Sequence, residues 1–178
     1  QSWRPINRGV RADFLPDKFP EIGQCPHKLL RHPSSPDLLY QQNHCGVYRS
    51  EDGGETWKDI SRGLPSRFGF ALALDPSDPR ALWVIPEISS ERRYAPEGAV
   101  YRSRDAGRSW RKLTRGLPGK GSYLHIYREG MASDGLRPCG VYFGTSSGSV
   151  FYSRDGGERW ESLAAHLPPV LSVSCALA

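Results

Sequence analysis

An all-β fold assembled from repeated four-stranded units is the architecture this sequence predicts. Three observations predict it. An eight-residue motif occurs three times at near-constant spacing, glycines and prolines punctuate short apolar segments, and no stretch carries a helical period.

The motif is plain by eye. Ser50-Glu51-Asp52-Gly53-Gly54-Glu55-Thr56-Trp57 recurs as Ser103-Arg104-Asp105-Ala106-Gly107-Arg108-Ser109-Trp110, and again as Ser153-Arg154-Asp155-Gly156-Gly157-Glu158-Arg159-Trp160. The copies lie 53 and 50 residues apart. Their flanks repeat in register: Val47-Tyr48-Arg49, Val100-Tyr101-Arg102 and Val150-Phe151-Tyr152 precede the serine. Gly63-Leu64-Pro65, Gly116-Leu117-Pro118 and His166-Leu167-Pro168 begin thirteen residues after it. Trp3 is followed six residues later by Gly9, as Trp57 is by Gly63, so Gln1 falls inside a cut fourth copy and the chain reads as part of a longer repeat protein.

The motif has a mechanical meaning. Aspartate and serine side chains accept backbone N–H bonds inside a tight turn. Gly54, Gly107 and Gly157 supply positive φ at no steric cost. Trp57, Trp110 and Trp160 then pack beside the next strand.

Each unit divides into four short strands. In the first they are His27–Arg31, Leu38–Gln42, Val47–Ser50 and Thr56–Ile60. In the second they are Phe70–Leu74, Ala81–Ile85, Ala99–Ser103 and Ser109–Leu113. In the third they are Tyr123–Arg128, Gly140–Gly144, Ser149–Ser153 and Arg159–Leu163, after which Val170–Ala176 starts a further unit. Four strands per unit of this length is the signature of a β-propeller blade. The expected division is a blade remnant over 1–24, blades over 25–65, 66–118 and 119–168, and the start of another over 169–178. These would be about three full blades of a propeller of 6–7, within the roughly 4–8 that such rings hold. Other blades of the same chain, or a second copy, would complete the ring.

Composition bounds the function. With 178 residues, 38% hydrophobic and 24% charged, the chain can bury one ordinary core and lacks a disordered composition. The net charge of +5 comes mainly from arginines scattered among acids rather than gathered in a stripe, which argues against nucleic-acid binding. No apolar run is long enough for a membrane helix, and no membrane partner is expected. The compartment stays open, with the cytoplasm favoured. Four cysteines are too few for a disulfide scaffold, and their spacing matches no zinc ribbon or redox pair.

The three Ser-x-Asp-x-Gly-x-x-Trp copies resemble the Asp-box (BNR) repeat of β-propellers over nearly the whole chain. The segments Gln41–Gly46 and Leu167–Val173 further resemble the bacterial sialidase-like and glycosyl-hydrolase BNR-repeat proteins. The resemblance implies that Asp52, Asp105 and Asp155 are turn staples between third and fourth strands, away from the active face. Enzymes of this fold use the opposite face, built from the second-to-third strand loops and the connections between blades.

On that face the first blade offers Asn43, His44 and Cys45, with Cys25 and His27 on its incoming segment. The second offers the long loop from Pro86 to Gly98. The third offers Thr145, Ser146 and Ser147, with Tyr123 arriving before them. Asn43, His44, Tyr123 and Thr145 are the candidate ligand contacts. Cys25, His27, His44 and Cys45 have the side chains of metal ligands, but thiols and imidazoles packing a blade end, or a local disulfide if the protein is exported, are the preferred reading; no metal or other cofactor is expected. Sialidase chemistry needs an arginine cluster, a tyrosine nucleophile with a glutamate base, and an acid. Glu87, Arg92, Arg93 and Tyr94 are the candidates of those types, while Arg128 is expected to point to the other face. Gly144-Thr145-Ser146-Ser147-Gly148 matches Gly-x-Ser-x-Gly, but a nucleophile elbow needs a strand-to-helix turn and this is a hairpin. The first expectation is thus a non-catalytic or uncharacterised propeller binding a carbohydrate or protein ligand. The alternatives are a sialidase-like exo-glycosidase and a metal- or redox-linked role for the Cys/His loops.

Overall fold

The computed structural model describes residues 2–176, with twelve strands and no helix among them. The strands form three four-stranded antiparallel sheets, one per repeat. The first blade holds β1 (Pro26–His32), β2 (Ser35–Asn43), β3 (Gly46–Ser50) and β4 (Lys58–Asp59). The second holds β5 (Gly69–Asp75), β6 (Asp78–Pro86), β7 (Val100–Ser103) and β8 (Arg111–Leu113). The third holds β9 (Met131–Ser133), β10 (Val141–Gly144), β11 (Val150–Ser153) and β12 (Glu161–Ala164). Strands pair in sequence order within each sheet. β1 packs on β5 and β5 on β9, so the first strands line up side by side, as they do around a propeller axis.

The core lies between blades. Leu38, Tyr40 and Val47 of the first meet Leu72, Leu74, Leu82 and Val84 of the second. Trp83, Ile85 and Val100 of the second meet Phe143, Phe151 and Trp160 of the third. Ala81–Pro86 is buried on both faces, which explains why that strand lacks polar alternation. Each large apolar side chain so buried contributes about 1.5–3 kcal/mol.

Polar groups tie the blades at fixed points. His32 Nε2 donates to the Asp75 carbonyl at 2.9 Å, Ser133 Oγ to that of Leu74 at 2.5 Å, and Trp83 Nε1 to that of Gly156 at 3.0 Å. Trp57 Nε1 donates to Ile6 O and Trp110 Nε1 to Ile60 O, both at 2.8 Å. Each acceptor lies three residues after the preceding repeat's tryptophan. The backbone N–H groups of Trp57 and Trp160 reach the carbonyls of Arg8 and Arg115, each five residues after that tryptophan. At the sixth residue a side chain on Gly9 or Gly116, with φ +93° and +88°, would strike the Trp57 or Trp160 carbonyl oxygen. The Trp-to-Gly spacing is therefore a contact, and the N-terminal partial copy makes it on blade one as residues 110–116 make it on blade three. Gln1 and residues 177–178, which the sequence reading places in flanking blades, lie outside the described residues.

Two sequence expectations need correction. Tyr123–Arg128 is not the first strand of blade three; β9 at Met131–Ser133 is. Leu124 and Ile126 are buried and their neighbours alternate outward, which mimics a strand. The segment instead crosses the end of the blade, with Tyr123 at φ +48°, one bridge from Leu124 to Ala95, and a turn from Gly130 N to Tyr127 O before the ladder begins. Val170–Ala176 forms no strand run either; Ser172 makes a single parallel bridge to Glu129.

Candidate functional site

One end of the blades carries the three repeated boxes, and they share their principal hydrogen bonds. In each, the serine hydroxyl donates to the aspartate at 2.7 Å and accepts the N–H of the glycine four residues on at 2.8 Å: Ser50–Asp52–Gly54, Ser103–Asp105–Gly107 and Ser153–Asp155–Gly157. The same aspartate oxygen accepts the N–H of Thr56, Ser109 or Arg159 at 2.9 Å. Thr56 and Ser109 add a hydroxyl bond to the other oxygen, at 2.5 and 2.6 Å, which Arg159 has no hydroxyl to make. The hydroxyl and N–H of Thr56, with Ser50, hold the Asp52 carboxyl down to about 2. Partial burial opposes the same effect at Asp105 and Asp155, yet bonds from Ser109 and Ser103, and from Ser153 and the Arg159 N–H, keep both lowered. Both carboxylate oxygens of Asp52 and Asp105 are thus held by their own turns, whereas Asp155 is held through Oδ1.

The opposite end differs from blade to blade. At the strand entry the side chains of Cys25 and His27 lie on one side, Sγ facing Nε2. The His44 N–H donates to the Cys25 carbonyl at 3.0 Å, which draws the β2–β3 turn beside them. One ligand atom from each of Cys25, His27 and His44 lies within 4.8 Å of the others. His27 Nδ1 stands 2.6 Å from the Gly69 carbonyl; a carbonyl only accepts, so Nδ1 carries the proton and Nε2 is left with its lone pair. That Nε2 is 3.6 Å from Cys25 Sγ. Phe70 stacks on His27 at 4.5 Å, while Phe68 and Phe14 meet His44 edge-on at 5.1 and 4.9 Å. Burial among these rings holds both imidazoles below their ordinary 6.5; at His27 the Gly69 carbonyl opposes this and Arg128 adds to it, while at His44 Glu91 opposes it.

Blade two and blade three meet on this end through a carboxylate and a histidine. Glu87 Oε1 accepts from His125 Nδ1 at 2.9 Å and from Ile126 N at 3.3 Å. Glu87 is 1% exposed, and its Oε2 has no partner among the described residues. The pair fixes the imidazole and leaves Nε2 free for an outside partner. A groove of about 670 Å³ runs beside His44, lined by Asp13, Ser66, Phe68, Ser89 and Ser90 among others.

The sequence candidates divide accordingly. His44 sits in the cluster, and Tyr123, 62% exposed, meets the Tyr94 ring at 5.0 Å. Asn43 and Thr145 are fully buried and bonded into their own turns: Asn43 Oδ1 accepts Cys45 N, while its Nδ2 has no partner among the described residues, and Thr145 Oγ1 accepts Ser149 N. Cys45 leaves the metal candidates, because its Sγ turns to accept the Asp13 N–H at 3.2 Å; all four cysteines are free. Glu87, Arg92, Arg93 and Tyr94 do not converge. Glu87 is buried against His125, Arg93 Nε donates to the Ser90 carbonyl, and Arg92 is exposed. Arg128 lies on this end and not the other, with its guanidinium 5.2 Å over Phe70. Sequence reasoning missed His125, Phe68 and Phe70. The outward position of His125 between buried Leu124 and Ile126 was the available signal.

Comparison with known proteins agrees with the geometry. The BNR/Asp-box repeat model matches residues 48–59 and 151–162. A xyloglucanase of Hypocrea jecorina (strain QM6a) is 23% identical over 159 residues, which are 83% of this chain and 17% of that protein. The solved GH74 xyloglucanase of Xanthomonas campestris aligns with TM-score 0.59 and 25% identity over 89% of this chain and 22% of its own. YCF48 of Cyanidioschyzon merolae aligns with TM-score 0.55 and 22% identity, over 79% of this chain and 37% of its own, and a YCF48 bound to D1 peptide with TM-score 0.57 and 15% identity, over 83% and 43%. The chain thus spans about a fifth of the xyloglucanases it matches. With boxes, blades and relatives in accord, the chain carries BNR/Asp-box repeats and its sheets are the blades of a β-propeller.

Proposed function

We propose that these blades form a non-catalytic binding module that offers its varied loop end to a carbohydrate or protein ligand. The observation that carries the reading is the contrast in free side chains. At the box end each aspartate is bonded into its own turn, whereas the loop end presents Tyr94, Tyr123, Arg93 and His44 on elements fixed by backbone bonds. Its acids are already engaged. Glu87 is buried against His125, Glu91 accepts from Ser89 and Ser90, and Glu97 pairs with Lys112. All three belong to one loop, whereas hydrolysis by two carboxylates needs groups flanking the scissile bond. The similarity to xyloglucanases and to a peptide-bound YCF48 supports both ligand classes, and the tyrosine pair favours a carbohydrate. The exposed Trp3, bare where later tryptophans are covered, supports completion of the ring by further blades.

A second reading, a sialidase-like or related glycoside hydrolase, has the 23% identity to a xyloglucanase in its favour. Calorimetric titration with xyloglucan oligosaccharides and sialosides, paired with a reducing-end assay, separates the two. The expected result is saturable binding without release of reducing ends. Removing one face of the aromatic pair in Tyr123→Ala should weaken binding roughly two- to tenfold. Release of reducing ends that Glu87→Gln abolishes would establish the enzyme instead.

A further inference from the structure

We propose that Cys25, His27 and His44 form a mononuclear zinc site with an open fourth position. The inference does not depend on the binding reading above.

Backbone geometry, rather than a chance of rotamers, gathers the three groups. Cys25 and His27 share a face at the entry to β1, and the β2–β3 turn is pinned to Cys25 by the His44 N–H. The ladder shifts register between Pro26 and Lys28, so His27 stands at an irregularity in an otherwise regular strand pair. Such irregularities re-aim side chains beside functional sites.

Distances suit the metal. Zinc–sulfur bonds of about 2.3 Å and zinc–nitrogen bonds of about 2.0–2.1 Å in a tetrahedron leave sulfur and nitrogen about 3.5 Å apart. Cys25 Sγ and His27 Nε2 are 3.6 Å apart with no metal between them. All three donors fit within 4.8 Å, so closure asks only for a small rotation of the His44 ring. Among the described residues neither ring nitrogen of His44 has a hydrogen-bond partner.

The surroundings suit it as well. A ligating histidine commonly donates its second nitrogen to a carbonyl or carboxylate, which fixes tautomer and orientation. His27 does this through Nδ1 to Gly69 O at 2.6 Å, a bond that also joins blade one to blade two. Burial favours neutral imidazoles, the form that ligates. Phe14, Phe68 and Phe70 wall the cluster, while His44 borders the open groove, so water would take the fourth position. Arg128 lies on the His27 side, Glu91 on the His44 side, and Arg93 near both. The arginines disfavour a bare cation and favour the thiolate that binding creates, when Cys25 releases its proton to solvent. A simple S–H to Nε2 hydrogen bond accounts for Cys25 and His27, and edge-on packing on Phe14 and Phe68 places the His44 ring, but among the described residues both ring nitrogens of His44 stay without a partner beside them. Two imidazoles and one thiolate are a donor set that suits zinc and excludes calcium or magnesium.

Cobalt(II) replaces zinc in such sites and reports a thiolate ligand through its near-ultraviolet charge-transfer band. Metal-free protein should bind one Co²⁺ per chain, show that band with visible bands of tetrahedral intensity, and lose them to one equivalent of Zn²⁺. Cys25→Ser should abolish the thiolate band. His44→Ala should weaken zinc binding by roughly a hundredfold or more, since even outer-shell partners are worth 10–100-fold. Cys45→Ser should keep both signals, and an unchanged far-ultraviolet circular dichroism spectrum verifies folding of each variant. Absence of the thiolate band in the wild type, or its persistence in folded Cys25→Ser, would overturn the site.

Discussion

The two ends of these blades follow opposite rules. At the box end three turns separated by half a hundred residues reproduce one another to a tenth of an ångström in their principal hydrogen bonds. At the loop end no blade resembles the next. The first contributes a thiol and imidazoles, the second a long loop with a buried glutamate, and the third an extended crossing segment with His125. Repetition marks what holds the blades together, and departure from it marks what the protein can use. A repeat protein binds its scaffold through contacts between neighbouring units, so residues making those contacts must recur, whereas a ligand imposes no periodicity.

The largest effects should fall on the repeated contacts. Trp160 is 1% exposed and packs against Phe143. Trp160→Ala should cost about 3–5 kcal/mol in urea unfolding. Ser103→Ala strands the buried Gly107 N–H and should cost about 1–3 kcal/mol by the same measurement. A loss below about 0.5 kcal/mol in either would break the claim that the boxes are structural.

Acid should separate the two ends. An imidazole held below its ordinary 6.5 refuses a proton that the unfolded chain accepts. The contribution of His27 and His44 is therefore whole above pH 6.5 and lost as pH falls below it. A carboxyl lowered from 3.8 contributes fully above that value, and the Asp52 contribution is lost only as pH falls toward about 2. Unfolding free energy measured against pH should fall in two stages, and His27→Gln, which keeps a donor for Gly69 O, should shrink the first alone.

The third box offers a smaller test, because it lacks the hydroxyl that Thr56 and Ser109 supply. Arg159→Ser should restore the bond to Asp155 and add about 0.5–1 kcal/mol to stability. Tyr123→Ala should change stability by less than about 0.5 kcal/mol, the usual range for an exposed side chain, while the proposed function expects it to weaken ligand binding.

This division also sets what the sequence could disclose. The boxes, the blade count among residues 25–168 and the strand order were legible because each rests on local chemistry repeated three times. The first strand of blade three was not. Leu124 and Ile126 alternate as a strand does, and periodicity alone does not separate a ladder from an extended segment that buries the same residues against another blade. Asn43 and Thr145 looked like polar loop residues facing solvent, yet each folds back onto its own turn, a use invisible without the backbone path. The convergence of Cys25, His27 and His44 was partly readable from alternation in the chain. Exclusion of Cys45 was not, because it depends on Asp13, more than thirty residues away. His125 and Glu87 met only through the packing of blade on blade.

The claim that the loop end binds and the box end does not is tested most directly by amide resonances during titration with xyloglucan oligosaccharide. The account predicts shifts at residues 43–46, 88–98 and 120–128, with the turns at 50–57, 103–110 and 153–160 unmoved. Shifts concentrated in those three turns, or none at saturating ligand, would contradict it.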